Sequence, residues 1–223
     1  MISAIITAAG KNRRMEEDQR RLGLKIQHKL LLDLHGKPVI IRTLNNVLNT
    51  HINRCIIVLG HYSDEIQTIL KKVIPGNVKI ISNIDKDVQL SETLLNGVRN
   101  IEEGGLCLCV AADQPTVTTR SMDRLIYEAQ KHQDNENIVS ILARRDTGFL
   151  NSTLGLGMPF VCHSTLLMKY LPHRNDNLNP ILGDMFDDGV EFYGVPPVHS
   201  RELTNINYWD DYLTVVNYMN NQL

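Results

Sequence analysis

Short apolar, β-branched runs alternate with helix-length segments along most of this chain, and that alternation restricts the fold more than any other feature. The runs cover residues 2–7, 55–60, 78–82, 106–112, 138–143 and 190–195. Between them, residues 38–49, 64–73, 90–101 and 122–133 carry apolar side chains at three- and four-residue spacing, which predicts amphipathic helices. Pro38 suits a first helical turn, Ser63 an N-cap, and Thr118 or Thr119 the cap of the fourth helix. Strands alternating with helices imply right-handed βαβ units and a parallel sheet covered on both faces. The expected fold class is α/β. With no internal repeat and no linker-like segment, the 223 residues are read as a single domain, 1–223.

Composition removes several classes of function. A formal net charge of −2 provides no global field toward nucleic acid or an anionic membrane, so neither is expected as a partner. Gly10 and Lys11 interrupt the opening apolar run, which argues against a signal peptide. No apolar stretch approaches the roughly 20 residues of a membrane helix. Cys55, Cys107, Cys109 and Cys162 show no metal or redox spacing, and on a strand Cys107 and Cys109 would share a face as small core residues. They read as reduced thiols, and the expected location is cytoplasmic. The sequence leaves open whether the chain forms a homo-oligomer.

In parallel sheets ligands bind outside the carboxyl ends of the strands, so the residues just after each run are where chemistry is sought. The first such stretch reads "TAAGKNRRM" (7–15). Ala8, Ala9 and Gly10 let the backbone turn tightly and point N–H groups at phosphate oxygens, and Arg14 adds a fork of donors. A plain turn with solvated cations explains the same residues. In "HKLLLDLHGKPVI" (28–40), Lys29 is either a point charge for a polyphosphate or a surface residue. "CVAADQPTVT" (109–118) ends a buried strand in Asp113. There a carboxylate is costly to desolvate unless it meets a cation such as Mg²⁺, or unless it serves as a turn or cap residue. In "LTNINYWDDYLTV" (203–215), Asn207 offers a neutral oxygen to a metal shell, while Asp210 and Asp211 suit the start of a final helix. No dinucleotide fingerprint, P-loop, HExxH or nucleophile elbow is present.

Taken in order, these pieces resemble the MobA-like NTP transferases. Ala8, Ala9, Gly10, Arg14 and Met15, then Lys29, Leu30 and Leu31, then Gly36, Lys37 and Pro38 match the opening motifs of that family. "DQPTVT" (113–118) matches closely, "NIDKDVQLSETLLNGV" (83–98) is similar to an Asn-rich segment entering a helix, and "NINYWDDY" (205–212) resembles a late acidic segment. The resemblance implies a Rossmann-like, doubly wound and mostly parallel sheet of the nucleotide-diphospho-sugar transferase kind. It implies that the 8–14 loop and Lys29 hold a triphosphate, and that the base lies against residues 83–93, Asn83 and Ser91 among them. Asp113 and Asn207 would hold Mg²⁺, with Arg14, Lys29 and Asp113 acting in catalysis.

The activity so implied is transfer of NMP from an NTP to a phosphorylated small molecule. The reading Ala8-Ala9-Gly10 favours CTP, and molybdopterin cytidylyl transfer in molybdenum cofactor biosynthesis is the favoured instance. Transfer to a sugar 1-phosphate or phospholactate, and a non-catalytic nucleotide-binding assembly protein, are the alternatives. Three departures from the family pattern stand out. Lys29 comes 14 positions after Met15, across the charged stretch 16–28, Asn205 and Asn207 replace aspartates, and Gly157-Met158-Pro159 stands where relatives often carry Asn or His before the proline.

Overall fold

An apolar strand whose two faces are both roofed by helices has to be buried from end to end, and the first strand is buried at every one of its seven residues. The structure, a computed structural model, describes residues 1–101, 104–132 and 136–221. In chain order it contains β1 (Ile2–Ala8), α1 (Arg13–Arg21), the short pair β2 (Asp33–Leu34) and β3 (Lys37–Pro38), α2 (Val39–Leu48), β4 (Arg54–Leu59), α3 (Ser63–Leu70), β5 (Val78–Ser82) and α4 (Leu90–Val98). It continues with β6 (Leu106–Ala111), α5 (Thr119–Lys131), β7 (Ile138–Leu142), β8 (Gly148–Phe149), β9 (Phe160–His163), α6 (Ser164–Tyr170), α7 (Leu178–Asp187), β10 (Glu191–Val195) and α8 (Trp209–Asn220).

Eight strands form one sheet in the order β5-β4-β1-β6-β9-β7-β10-β8, mostly parallel, with β9 and β8 antiparallel to their neighbours. This is the α/β, Rossmann-like doubly wound sheet expected. Alternation along the strands sorts side chains into two cores. Ala4 and Ile6 of β1 and Leu108 and Val110 of β6 face α2 and α5. Ile5, Cys107 and Cys109 face α4, α6 and α7. Each large aliphatic side chain so buried contributes about 1.5–3 kcal/mol. The approach of α4 to β1 is close enough to demand glycine, since a Cβ on Gly97 would lie 2.6 Å from Cγ2 of Ile5.

The chain leaves β1 toward β4 and β5 on one side and returns to β6 on the other. The order therefore reverses between β1 and β6, and the crevice outside their carboxyl ends is where such a sheet binds ligands. All four cysteines are buried and free, with the Sγ atoms of Cys107 and Cys109 3.7 Å apart on one face. Burial pushes the Cys55 thiol up to about 12 and raises Cys109 and Cys162 as well. Among the described residues no helix is long and apolar enough to cross a membrane.

Several local expectations are corrected. Ser63 is not the cap of α3 but its first residue, and the cap position is Tyr62, held in the left-handed region at φ 60°. Pro38 sits at the cap position of α2, one residue before the first turn. Thr118 is the cap of α5, its hydroxyl accepting from Ser121 N at 3.2 Å. That helix begins at Thr119 instead of Met122, and Gln133, its expected last residue, lies outside the described residues. α3 and α4 stop at Leu70 and Val98, about one turn early.

Candidate active site

The site is assembled where β1 and β6 end. After Ala8 the chain turns through Ala9 and Gly10 to Asn12, which adopts a left-handed conformation at φ 64° and starts α1. The charged stretch between Met15 and Lys29 is thus α1 followed by a return segment. It is closed by polar bonds: Gln27 N donates to Gln19 Oε1 at 3.0 Å, and Lys29 N donates to Asn12 Oδ1 at 3.0 Å. The second bond brings Lys29 back beside the glycine loop despite the long excursion. Asp18 accepts from Trp209 N at 3.1 Å and ties α1 to α8.

Asp113 follows β6 and is bonded through both carboxylate oxygens. Oδ2 accepts from Lys29 Nζ at 2.5 Å, and Oδ1 accepts from Asn205 Nδ2 at 3.2 Å. The two charged side chains are only 12% and 14% exposed, so their attraction is weakly screened. The 205–207 segment is docked onto Asp113 by its backbone too, with Ile206 N donating to Asp113 O at 3.0 Å. Gln114 braces the arrangement, its Nε2 donating to Asn205 Oδ1 at 3.2 Å and to Met158 O at 2.9 Å. Asn207 Oδ1 then accepts from Lys29 Nζ and from Arg14 Nη2, each at 3.1 Å. Arg14 also lies over the Tyr208 ring, 5.4 Å from its centroid. Asp211 caps α8, accepting from Asn207 N at 2.9 Å and Tyr208 N at 2.8 Å.

A cavity of about 430 Å³ opens beside this cluster, with Ala8, Ala9, Gly10, Lys29, Asp113 and Asn205 among its lining. That volume lies in the range of small-molecule and cofactor sites. Lys29 and Asp113 line the cavity, whereas Arg14 and Asn207 lie outside its lining and join the cluster only through the Asn207 amide oxygen. Asn83 and Ser91 are not among the residues lining it. The Asn83 amide spans Thr93 Oγ1 at 3.0 Å and Asn96 Nδ2 at 3.1 Å. Ser91 is fully buried, and its Oγ accepts from Asp176 N at 3.0 Å. Thr93 and residues 88–90, which lead into the start of α4, line the cavity instead. In the late Gly-Met-Pro motif, the Met158 sulfur lies 3.6 Å from the Thr7 hydroxyl, packed under the strand end.

Two residues to which the sequence assigns no role, one of them at a strand end, also shape the site. His28 is buried in the cavity wall, and burial holds its imidazole down at about 4. The unfolded chain would take up a proton below its ordinary value of 6.5 that the folded chain refuses. Stability is therefore complete above that value and declines as pH falls toward 4. Gly60, after β4, lies against the loop, and a Cβ there would sit 2.8 Å from Ala9 Cβ and 2.9 Å from Ala9 O. Gly60→Ala is expected to cost about 1–3 kcal/mol of overpacking and to push the 8–12 loop out of place. Thermal melting and nucleotide titration check it, and unchanged values for both would show that the loop yields freely.

For a metal, the protein offers Asp113 and the amide oxygen of Asn207. Among the described residues no group of three or more His, Cys, Asp or Glu side chains could hold an ion. One carboxylate and a neutral oxygen make a hard but sparse donor set. It fits a cation of the Mg²⁺ type only when phosphate oxygens and water complete the shell.

Comparison with known proteins agrees with the geometry. The sequence profile of the MobA-like NTP transferase domain matches residues 4–181. The bifunctional protein GlmU of Staphylococcus epidermidis is 26% identical over 175 residues, covering 78% of this chain but 34% of that protein. The chain thus spans about a third of the length of that curated relative. A nucleotidyl transferase from Methanothermobacter thermautotroptrophicus superposes with a TM-score of 0.92 at 39% identity, covering 100% of this chain and 99% of that one. The 4-diphosphocytidyl-2C-methyl-D-erythritol synthase of Anaerococcus prevotii shares the fold at 18% identity, with a TM-score of 0.68 over 99% of this chain and 96% of that one. The matched span includes the opening loop, Lys29 and Asp113, and the chain belongs to the MobA-like NTP transferase family.

Proposed function

We propose that this cleft transfers a nucleotidyl group from an NTP, with CTP favoured, to a phosphorylated small molecule and releases pyrophosphate. The observation that carries the reading is the Lys29–Asp113 pair in the wall of a 430 Å³ cavity beside the small-residue loop after β1, with Arg14 joined to Lys29 through Asn207 Oδ1. An acceptor phosphate monoester has its second pKa near ~6 and is largely dianionic at neutral pH, so the protein needs no general base. An acceptor phosphate oxygen forms a bond to the α-phosphorus, the bond from that phosphorus to the bridging α–β oxygen breaks, and the electron pair leaves with pyrophosphate. The protein's part is alignment and charge compensation. The 8–12 backbone cradles the polyphosphate, Lys29 exchanges Asp113 for a phosphate oxygen, and Arg14 offers a second cation from α1. Asp113 and Asn207 would hold Mg²⁺, which would supply Lewis acidity at the phosphoryl oxygens.

Cytidylyl transfer to molybdopterin remains the favoured instance, on the strength of the Ala8-Ala9-Gly10 loop. A sugar 1-phosphate or phospholactate is the next acceptor to consider. One observation favours a non-catalytic nucleotide-binding protein: Asp113, the one carboxylate among the described residues lining the cavity, is neutralised by Lys29, and Asn205 and Asn207 stand beside the pair. Incubation with each of the four NTPs, Mg²⁺ and a panel of molybdopterin, sugar 1-phosphates and phospholactate separates these readings. Pyrophosphate released with CTP only when an acceptor is present is the expected result. Nucleotide binding without turnover for any acceptor would overturn the enzymatic reading.

A further inference from the structure

The charged excursion after Met15 ends in a histidine whose ring uses both nitrogens. Nδ1 accepts from Leu30 N at 3.2 Å, and Nε2 lies 3.3 Å from Gly10 O. A nitrogen that accepts from an amide carries no proton, so the proton is on Nε2 and is donated to the Gly10 carbonyl. The His28 carbonyl accepts from Leu31 N at 2.9 Å, which completes the single turn bearing Lys29. The ring packs on Tyr62 with centroids 4.7 Å apart, and the Tyr62 hydroxyl donates to Glu16 Oε1 at 2.6 Å. One side chain therefore joins the loop after β1, the turn after β4 and the lysine-bearing turn.

We propose that His28 is a positioning residue for nucleotide binding, its neutral imidazole locking the Gly10 carbonyl so that the loop presents N–H groups, not an oxygen, to a polyphosphate. In a trans peptide the carbonyl and the following N–H point in opposite directions. Holding Gly10 O on His28 thus directs the Lys11 amide away from the ring. A Gly10 carbonyl turned toward a polyanion would repel it. Desolvation of the imidazole keeps the neutral form in place across the physiological range. The inference rests on the reading of this cleft as a nucleotide site.

Two substitutions separate the ring's two bonds. His28→Asn keeps an acceptor at the δ position for Leu30 N but is too short to reach Gly10. His28→Gln places a donor near the Nε2 position but gives up the local cap. Binding of CTP, GTP, ATP and UTP with Mg²⁺, and of inorganic tripolyphosphate, is measured by calorimetry beside thermal melting. For CTP, His28→Asn is expected to weaken binding about tenfold, the size of one lost hydrogen bond of about 1.4 kcal/mol, with little change in melting temperature. His28→Gln should retain affinity within about threefold despite a lower melting temperature. Wild-type affinity in His28→Asn overturns the proposal, as do losses that simply follow melting temperature. If His28→Asn does not fold, His28→Gln is set against His28→Ala, and equal affinities overturn the proposal. A wild-type protein that binds none of the five probes removes the nucleotide reading itself, a result distinct from failure of the variants.

Discussion

Asp113→Ala is expected to lower the turnover number for nucleotidyl transfer on the order of 10²–10³-fold, the loss typical when one preorganised electrostatic group is removed. The Michaelis constant for the NTP should change far less. The reason lies in what Asp113 contacts. Its two oxygens receive Lys29 and Asn205, and its backbone carbonyl receives Ile206 N. Among the described residues that line the cavity Asp113 is the one carboxylate, and in the proposed reaction charge on the α-phosphoryl group and the leaving pyrophosphate is balanced beside it through a cation. Without it, Lys29 keeps Asn207 Oδ1 and is free to meet phosphate, so ground-state binding survives while alignment is lost. Initial rates of pyrophosphate release at varied NTP and acceptor check this, with circular dichroism to confirm folding. Near-normal turnover in a folded Asp113→Ala protein would remove this residue from the mechanism.

The largest effect on stability is expected at Glu202. This side chain is completely buried, and its carboxylate accepts four hydrogen bonds. Thr118 N and Val198 N donate at 2.7 Å each, Ser121 Oγ at 2.7 Å and Thr118 Oγ1 at 2.5 Å. The negative charge lies at the start of α5, where the helix dipole favours it. Glu202→Ala would leave two buried amides without an acceptor, at about 1–3 kcal/mol each. A total loss of about 3 kcal/mol corresponds to a melting temperature lower by roughly 6–12 °C for a chain of this size. The damage would not stay local, because Glu202 anchors the segment that runs on to Asn205 and Asn207. Denaturant unfolding measures the first effect, and nucleotide affinity above background unfolding measures the second. A loss below about 1 kcal/mol would show that water replaces the carboxylate readily.

Much of this site could be read from residue order, for a physical reason. In a parallel sheet the carboxyl ends of successive strands share one edge, so residues that follow strands converge without any long-range information. Gly10 after β1, Asp113 after β6 and the late 205–207 segment were therefore placed together by counting runs. Lys29 was placed by resemblance, and the Asn12 bond explains why its position survives a charged excursion. Helix α1 was invisible because "RRMEEDQRR" buries only Met15 and Gln19 and so has no apolar stripe to detect.

Strand β9 was missed for the opposite reason. Four residues, Phe160–His163, are too short to separate from a loop, yet they insert antiparallel between β6 and β7. Glu202 sits among His199, Ser200 and Arg201, a run that reads as surface. Three of its four donors come from Thr118 and Ser121, more than 80 positions earlier. Asn83 and Ser91 lie behind the cavity wall. Both lie in the matching segment, but their side chains hold neighbouring chain segments and leave the cavity wall to Thr93 and residues 88–90.

The account turns on where a polyphosphate goes, and a crystal structure with CTP and Mn²⁺ in place of Mg²⁺ tests that most directly. The expected result is a triphosphate along the 8–14 loop, Lys29 Nζ moved from Asp113 onto a phosphate oxygen, and the anomalous signal of the cation beside Asp113. Phosphates bound elsewhere, with the Lys29–Asp113 pair intact and no cation against that carboxylate, would contradict it.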